Sequence, residues 1–154
     1  MTSGPPERAP EHYWLDPGLL AAGEWPGSHL DWLAGQNISL VINLTDREYH
    51  DKRFRVHGIP VPDGAAPGDG QIRQLCRLVQ REVDAGRTVY VHCMGGCRRT
   101  GTMMACYLVY RHRLDPMEAI QRLRDVRPCS VETAEQADAV IHWSRLMQAR
   151  DYRL

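Results

Sequence analysis

Two short apolar runs, rich in β-branched residues, alternate with segments of helical periodicity. This alternation is the sequence feature that most restricts the possible folds. The runs cover 38–44 (ISLVINL) and Thr88–His92 (TVYVH). Continuous apolar runs of this length are typical of strands buried on both faces of a parallel sheet. A third strand is predicted over 55–61, where Pro60 and Pro62 stop it, and a short edge strand over 19–22. The chain is therefore expected to build a sheet rather than a helical bundle.

Apolar residues at helical spacing predict the segments that pack on this sheet. We expect helices over 29–34, 71–85, 100–113, 116–126 and 132–150, with Ser130 or Glu132 capping the last. Strands that alternate with helices predict an α/β domain with a central, mostly parallel sheet of four or five strands, flanked by helices on both faces. A ligand of such a sheet binds at the carboxyl ends of its strands.

Length and charge limit the function classes. The 154 residues form a single domain over 12–154, preceded by a flexible, Pro-rich tail over 1–11. Lys+Arg and Asp+Glu both number 19, which argues against a strongly basic nucleic-acid-binding protein. No apolar run is long enough to span a membrane, and the N-terminus lacks the apolar region of a secretory signal. We expect a cytoplasmic monomer that binds neither nucleic acid nor membrane.

Cysteine and histidine spacing predicts neither a disulfide framework nor a metal site. The five cysteines are an odd number and show no paired C-x2-C spacing, so each is expected to be a reactive or a buried thiol. The histidines show no metal-ligand spacing either. We therefore predict no metal and no cofactor.

The segment HCMGGCRRTG, residues 92–101, carries the chemistry. It lies between a predicted strand and a predicted helix, so its loop presents backbone N–H groups at a helix N-terminus, where anions bind. Cys93 lies in this positive field, which favours the thiolate, and Arg99 offers a planar fork that matches phosphate. The alternative is a buried cysteine followed by a helix-capping turn. The residues predicted to surround the phosphate are Met94, Gly95, Gly96, Cys97, Arg98 and Arg99.

Phosphoester cleavage by a thiolate also needs an acid for the leaving oxygen and then a base for water. Asp63 lies thirty residues before Cys93, directly after a predicted strand, and is the favoured candidate. Asp69 is its rival in the same Gly- and Pro-rich loop. Alternatively, either aspartate supports a turn or caps the helix that begins near Gln71.

Other residues near the segment allow two interpretations each. His92 either orients the loop or is a core histidine that satisfies its own hydrogen bonds. Cys97 either pairs reversibly with Cys93, protecting it from overoxidation, or is a free thiol facing solvent. Arg98 either recruits a second phosphate or points to solvent. Glu132 and Gln136 either border the pocket or cap the last helix.

The order His92-Cys93-x5-Arg99-Thr100 resembles the H-C-x5-R-[S/T] signature of the cysteine-dependent protein tyrosine phosphatase superfamily. From about 13 to about 143 the chain is similar to a compact atypical dual-specificity phosphatase: YWLDPGLLAAGEWPG matches the opening, VPD (61–63) the general-acid loop, and ETAEQ (132–136) a later segment. The resemblance implies that Cys93 is the nucleophile, Arg99 binds phosphate and Asp63 is the general acid. It also implies that Thr100 donates a hydrogen bond to the Cys93 sulfur.

Two departures from the family pattern affect this loop. Arg98 stands where a small residue is usual, and Cys97 precedes it, which makes substrate breadth and loop electrostatics unusual. The resemblance also brings Cys129, in the RPCS segment, near the site, where a redox role is one alternative.

The expected function is hydrolysis of a phosphorylated protein or a small phosphomonoester through a phosphocysteine intermediate. The short chain leaves little room for additional recognition loops, so a shallow pocket is expected, open to phosphotyrosine, phosphoserine and phosphothreonine. The alternatives are a phosphoinositide or RNA 5′-phosphate phosphatase, a non-catalytic phosphate-binding module, and a thiol redox enzyme such as an arsenate reductase.

Overall fold

A computed structural model describes residues 8–154; residues 1–7, most of the predicted tail, lie outside the described part. A five-stranded sheet with the order β1-β2-β5-β3-β4 forms its centre. The strands are β1 His12–Asp16, β2 Leu20–Gly23, β3 Ile38–Asn43, β4 Arg55–Gly58 and β5 Thr88–His92. All neighbours pair in parallel except β1, which is antiparallel to β2. The mostly parallel α/β sheet predicted from the sequence is confirmed.

The sheet differs from the prediction at two strands. The short strand β2 is not an edge strand, because the unpredicted β1 covers its outer side. The predicted strand over 55–61 ends at Gly58. Beyond it, the N–H groups of Ile59 and Val61 still donate to Asn43 and Leu44, each at 2.9 Å, but Pro60 between them has no N–H to donate. The chain therefore leaves the sheet there and carries 61–63 to its carboxyl edge.

Within residues 8–154, five helices pack on this sheet. They are α1 Leu30–Gly35, α2 Asp69–Asp84, α3 Arg98–His112, α4 Pro116–Val126 and α5 Ala134–Ala149. Helix α5 is capped by Thr133, whose hydroxyl accepts from the Gln136 N–H at 3.1 Å, rather than by Ser130 or Glu132. In the described part of the chain, no helix is long and apolar enough to cross a membrane.

The central strands β3 and β5 are buried on both faces, as their continuous apolar runs predict. In β5, Val89 and Val91 join the large cluster formed with α2, α3, α4 and α5, whereas Tyr90 joins a smaller cluster with Trp32 of α1. The alternation follows from the two-residue period of a strand. Helix α3 is the centre of the large cluster, since every residue from 99 to 109 is buried. Its N-terminus is consequently fixed at the carboxyl edge of the sheet.

Candidate active site

Cys93 directly follows the central strand β5 and begins the loop 93–97 that leads into α3. It is only 3% exposed and its thiol is free. The N-terminus of α3, with its unpaired backbone N–H groups and positive end of the helix dipole, faces this loop. The structure therefore places the thiol where the sequence predicts an anion-binding turn.

The loop is shaped by close contact with the end of β2. Gly96 has φ 71°, and a Cβ at this position would collide with the backbone of Gly23 and Glu24. The carbonyl of Met94 accepts a hydrogen bond from the Trp25 N–H at 2.8 Å. Only glycine combines this backbone conformation with so close an approach.

Arg99 lies in the first turn of α3 and is buried. Its Nη1 donates to the Val61 carbonyl at 2.9 Å, which ties the guanidinium to the segment that precedes Asp63. One end of the guanidinium is thus held by the protein, and the side chain lines the cavity that contains Cys93.

Acidic and basic side chains meet at the mouth of this cavity. The Oδ1 atom of Asp63 lies 3.7 Å from Nη2 of Arg98 and 3.9 Å from Nε of Arg99. The Nε atom of Arg98 lies 3.4 Å from Oε2 of Glu132. By contrast, Asp69 begins α2 and its carboxylate lies 3.0 Å from His142 Nε2. Of the two candidate aspartates, only Asp63 is in the lining of the cavity that contains Cys93.

Two adjoining cavities open here. One of about 310 Å³ contains Cys93 at its surface, and another of about 450 Å³ extends over 45–47 and 60–62. They share Asp63, Met94 and Arg99. The first cavity is lined by Asp63, Cys93, Met94, Gly95, Cys97, Arg98, Arg99, Cys129 and Glu132. A phosphate at Cys93 therefore leaves room for the rest of a substrate beside Asp63.

His92, directly before Cys93, is completely buried. Its Nδ1 lies 3.1 Å from the Cys93 carbonyl, and its Nε2 lies 2.8 Å from the hydroxyl of Tyr49. Burial lowers the pKa of His92 to about 4, with a smaller contribution from the nearby Arg99 charge. The ring is therefore neutral, with Nδ1–H donating to the carbonyl and Nε2 accepting from Tyr49.

Cys97 and Cys129 form a disulfide with 5.2 Å between their Cα atoms. The expectation of no disulfide is wrong here, and so are both interpretations of Cys97, as a partner of Cys93 and as a free thiol. The fold brings the loop after α4 against the loop 93–97, although 32 positions separate the two cysteines. The three other cysteines, Cys76, Cys93 and Cys106, are free and buried.

Of the remaining predicted site residues, some line the cavity and others hold nearby parts of the backbone. Thr100 is buried, and its hydroxyl has no hydrogen-bond partner within residues 8–154, so the expected hydrogen bond to the Cys93 sulfur is not formed in this structure. Glu132 lines the cavity, whereas Gln136 lies outside its lining. The Gln136 side-chain oxygen accepts from the N–H groups of Glu132 and Thr133, each at 3.2 Å, so it caps α5.

Two residues near the site were not found by sequence reasoning. Tyr49 contacts His92, and Arg127 donates from Nη2 to the Gly95 carbonyl at 2.7 Å and from Nη1 to Glu11 at 2.7 Å. Both side chains come from loops that are distant from Cys93 in the sequence, and no local motif marks them. In the described part of the chain, no group of three or more His, Cys, Asp or Glu is arranged to hold a metal ion.

Comparison with known proteins agrees with this geometry. The family described as "Swiss Army Knife protein, DSP-PTPase phosphatase domain" matches residues 10–140, almost the entire described chain. The chain belongs to this phosphatase family. It is a compact atypical dual-specificity phosphatase domain of the cysteine-dependent protein tyrosine phosphatase superfamily, as its signature predicts.

Individual relatives carry the same assignment. The chain is 31% identical to dual specificity protein phosphatase CDC14B of Mus musculus over 132 residues, and 30% identical to tyrosine-protein phosphatase CDC14 of Saccharomyces cerevisiae over 131 residues. These alignments cover 82% of the chain but only 27% and 23% of the relatives, so the chain spans about a quarter of their length. The crystal structure of Tk-PTP in the active form is 30% identical, with a TM-score of 0.81, and the match covers 88% of this chain and 97% of that one.

Proposed function

We propose that this domain hydrolyses phosphomonoesters of proteins, with Cys93 as the covalent nucleophile. One observation carries the proposal: a free, buried thiol shares a cavity with the Arg99 guanidinium at the N-terminus of α3. The loop N–H groups and Arg99 stabilise the negative charge that develops on the phosphoryl oxygens. The names of the relatives, dual specificity and tyrosine phosphatases, support the same reaction class.

In the first step the Cys93 thiolate attacks phosphorus, and the bond from phosphorus to the leaving oxygen breaks. Asp63, at the mouth of the cavity, gives its proton to that oxygen, and the alcohol or phenol departs. In the second step Asp63 removes a proton from water, which attacks phosphorus. The S–P bond breaks, the thiolate is restored and inorganic phosphate leaves.

Two further residues act on the thiol or its loop. The Thr100 hydroxyl, buried and otherwise without a partner in the described chain, is free to donate to the Cys93 sulfur as it becomes a leaving group. His92 holds the Cys93 carbonyl through Nδ1–H and so orients the start of the loop. We therefore assign Thr100 to the chemistry and His92 to positioning.

The substrates that we propose are phosphotyrosine, phosphoserine and phosphothreonine in exposed protein segments. The adjoining cavity gives a phosphorylated side chain an open approach beside Asp63. Phosphoinositides remain the second candidate, because the Arg98 guanidinium lines the cavity as an additional cation. Asp63 and Glu132 lie beside this guanidinium and offset its charge, which favours the substrate with a single phosphate.

The test is a phosphatase assay over phosphopeptides, phosphoinositides and 5′-phosphorylated RNA, with Cys93→Ser as the control. We expect turnover of phosphopeptides, its loss in Cys93→Ser, and no change when a metal chelator is added. Turnover by Cys93→Ser close to that of the wild type would refute the assignment. A large preference for inositides or RNA would select another substrate class on the same scaffold. The cytoplasmic location, the monomeric state, the flexible tail and the absence of nucleic-acid binding stay predictions.

A further inference from the structure

A disulfide and the proposed nucleophile share one cavity. The Cys97–Cys129 bond joins the phosphate-binding loop (93–97) to the loop between α4 and α5 (127–133). Cys97, Cys129 and the free thiol of Cys93 all line the catalytic cavity. Cys97 is also the residue directly before α3, next to Arg98 and two positions before Arg99. The disulfide is therefore placed to influence the groups that bind phosphate.

Noncovalent contacts also link the α4–α5 loop to the phosphate-binding loop and to the first residue of α3, at exposed positions. Arg127 donates to the Gly95 carbonyl at 2.7 Å, and Glu132 lies 3.4 Å from Arg98. The Arg98 and Glu132 side chains are 41% and 60% exposed, and ion pairs in such positions stabilise little because water and salt screen them. The disulfide is covalent, so water and salt do not weaken it in this way.

The α4–α5 loop is itself held firmly to the body of the domain. Arg124 donates from Nε to the Ser130 carbonyl at 3.2 Å and from Nη2 to the Val131 carbonyl at 2.6 Å. Val131 is completely buried and has φ 54°, a left-handed conformation that β-branched residues rarely adopt. Such a conformation persists only where its surroundings fix it. Cys97 is thus tied to a rigid anchor.

We propose that the Cys97–Cys129 disulfide positions the phosphate-binding loop, and that its reduction by a dithiol lowers phosphatase activity. The inference rests on the proposed function of that loop. Catalysis needs the loop N–H groups and Arg99 aimed at one point, and displacements of about 1 Å cost up to 10²-fold in rate. Without the bond the loop occupies the competent arrangement for a smaller fraction of the time, and apparent phosphate affinity falls in proportion.

The redox step leaves Cys93 unchanged. A thiolate of the dithiol attacks one sulfur of the disulfide, and a mixed disulfide forms as the other cysteine departs as a thiol. The second thiol of the reagent displaces the remaining cysteine, so the reagent becomes a disulfide and Cys97 and Cys129 become two thiols. The oxidised pair is therefore the active form. Oxidation therefore has opposite effects at the two places: forming the Cys97–Cys129 disulfide raises phosphatase activity, whereas oxidation of the nucleophile Cys93 abolishes it.

The test compares oxidised and reduced wild-type protein. The chain is purified without reductant, and thiols are counted after denaturation: three are expected before treatment with dithiothreitol and five after it. With p-nitrophenyl phosphate we expect kcat to fall about tenfold in the five-thiol form, together with weaker inhibition by inorganic phosphate. Both effects should reverse when the pair is reoxidised, which separates loop positioning from loss of the fold.

Variants identify the bond responsible. Cys97→Ser and Cys129→Ser should each have the kcat of the reduced wild type, and the dithiol should not change it. The kcat of the double variant should be no lower than that of either single variant. Wild-type kcat and phosphate inhibition that change less than twofold on reduction would overturn the proposal. So would a Cys129→Ser protein that still responds to dithiothreitol. If neither form hydrolyses any phosphomonoester but reduction still weakens phosphate binding, the proposed function fails and the positioning role stands.

Discussion

The hydroxyl of Tyr49 lies 2.8 Å from Nε2 of His92, so a loop residue after β3 fixes the ring that precedes Cys93. The Cys93 carbonyl can only accept, so Nδ1 of His92 carries the proton, and the Tyr49 hydroxyl donates to Nε2. Trp25 packs its ring edge-on against His92 with 5.4 Å between centroids. Both nitrogens of this buried ring therefore have hydrogen-bond partners in the neutral form.

This neutral ring makes stability depend on pH. The pKa of His92 is about 4 in the folded chain, below the usual 6.5, because burial disfavours its charge. Between pH 4 and 6.5 the unfolded chain binds more protons than the folded chain, so the free energy of unfolding decreases as the pH falls. The contribution of the neutral His92 ring is complete above about pH 6.5 and is lost as the pH falls toward 4. The difference corresponds to about 3 kcal/mol. We expect this loss in denaturant titrations across that range.

The matched comparison is His92→Asn against His112→Asn, since His112 is exposed at the end of α3. The free energy of unfolding of His92→Asn should depend less on pH between 4 and 6.5, whereas His112→Asn should keep the wild-type slope. Equal slopes in all three proteins would show that His92 does not carry this dependence.

Arg99→Lys should lose kcat/KM by 10²-fold or more. Arg99 uses Nη1 for the Val61 carbonyl and still presents the rest of its fork to the cavity, which a lysine ammonium cannot reproduce. Steady-state kinetics with p-nitrophenyl phosphate measure the loss, with Arg98→Lys as the control. A loss below about tenfold, or about 1.4 kcal/mol, would mean that Arg98 holds the phosphate instead.

Local sequence order was enough to predict that Cys93 and Arg99 lie in one strand–loop–helix segment. Strand β5, the Cys93 loop and the start of α3 are consecutive, so a strand, a glycine turn and a helix suffice to bring Cys93 and Arg99 together. Strand β1 was not predicted, because its residues are mostly half-buried and its pairing with β2 gives no continuous apolar run. Its presence made β2 an interior strand.

Contacts between distant segments were beyond sequence reasoning. The disulfide needs the path of α4 to be known, because only tertiary packing brings Cys129 to Cys97. Tyr49 and Arg127 likewise reach the site from loops whose course no local pattern fixes. The predicted cap of α5 was also misplaced: the sequence indicated Ser130 or Glu132, whereas the structure uses Thr133.

Gly96→Ala should destabilise the domain by about 2 kcal/mol or more. Alanine at φ 71° is strained, and its Cβ would collide with the backbone of Gly23 and Glu24. For a chain of this length the loss lowers Tm by roughly 4–8 °C. Gly95→Ala is the control, because a Cβ there meets nothing within 4 Å. Equal melting temperatures for the two variants would contradict the close packing of Gly96 on β2.

Asp63→Asn and Asp69→Asn together decide which aspartate is the general acid. Asp63 lies within 4 Å of Arg98 and Arg99 at the mouth of the cavity, whereas Asp69 pairs with His142 at the start of α2. We therefore expect Asp63→Asn to lose about 10²–10⁴-fold in kcat on a phosphoserine peptide, whose alkoxide needs protonation to leave. The loss with p-nitrophenyl phosphate should be smaller, because p-nitrophenolate leaves without much help from an acid. Asp69→Asn should stay within a few-fold of wild type on both substrates. If Asp69→Asn proves to be the impaired variant on phosphoserine, the acid is misplaced, although hydrolysis through Cys93 would still hold.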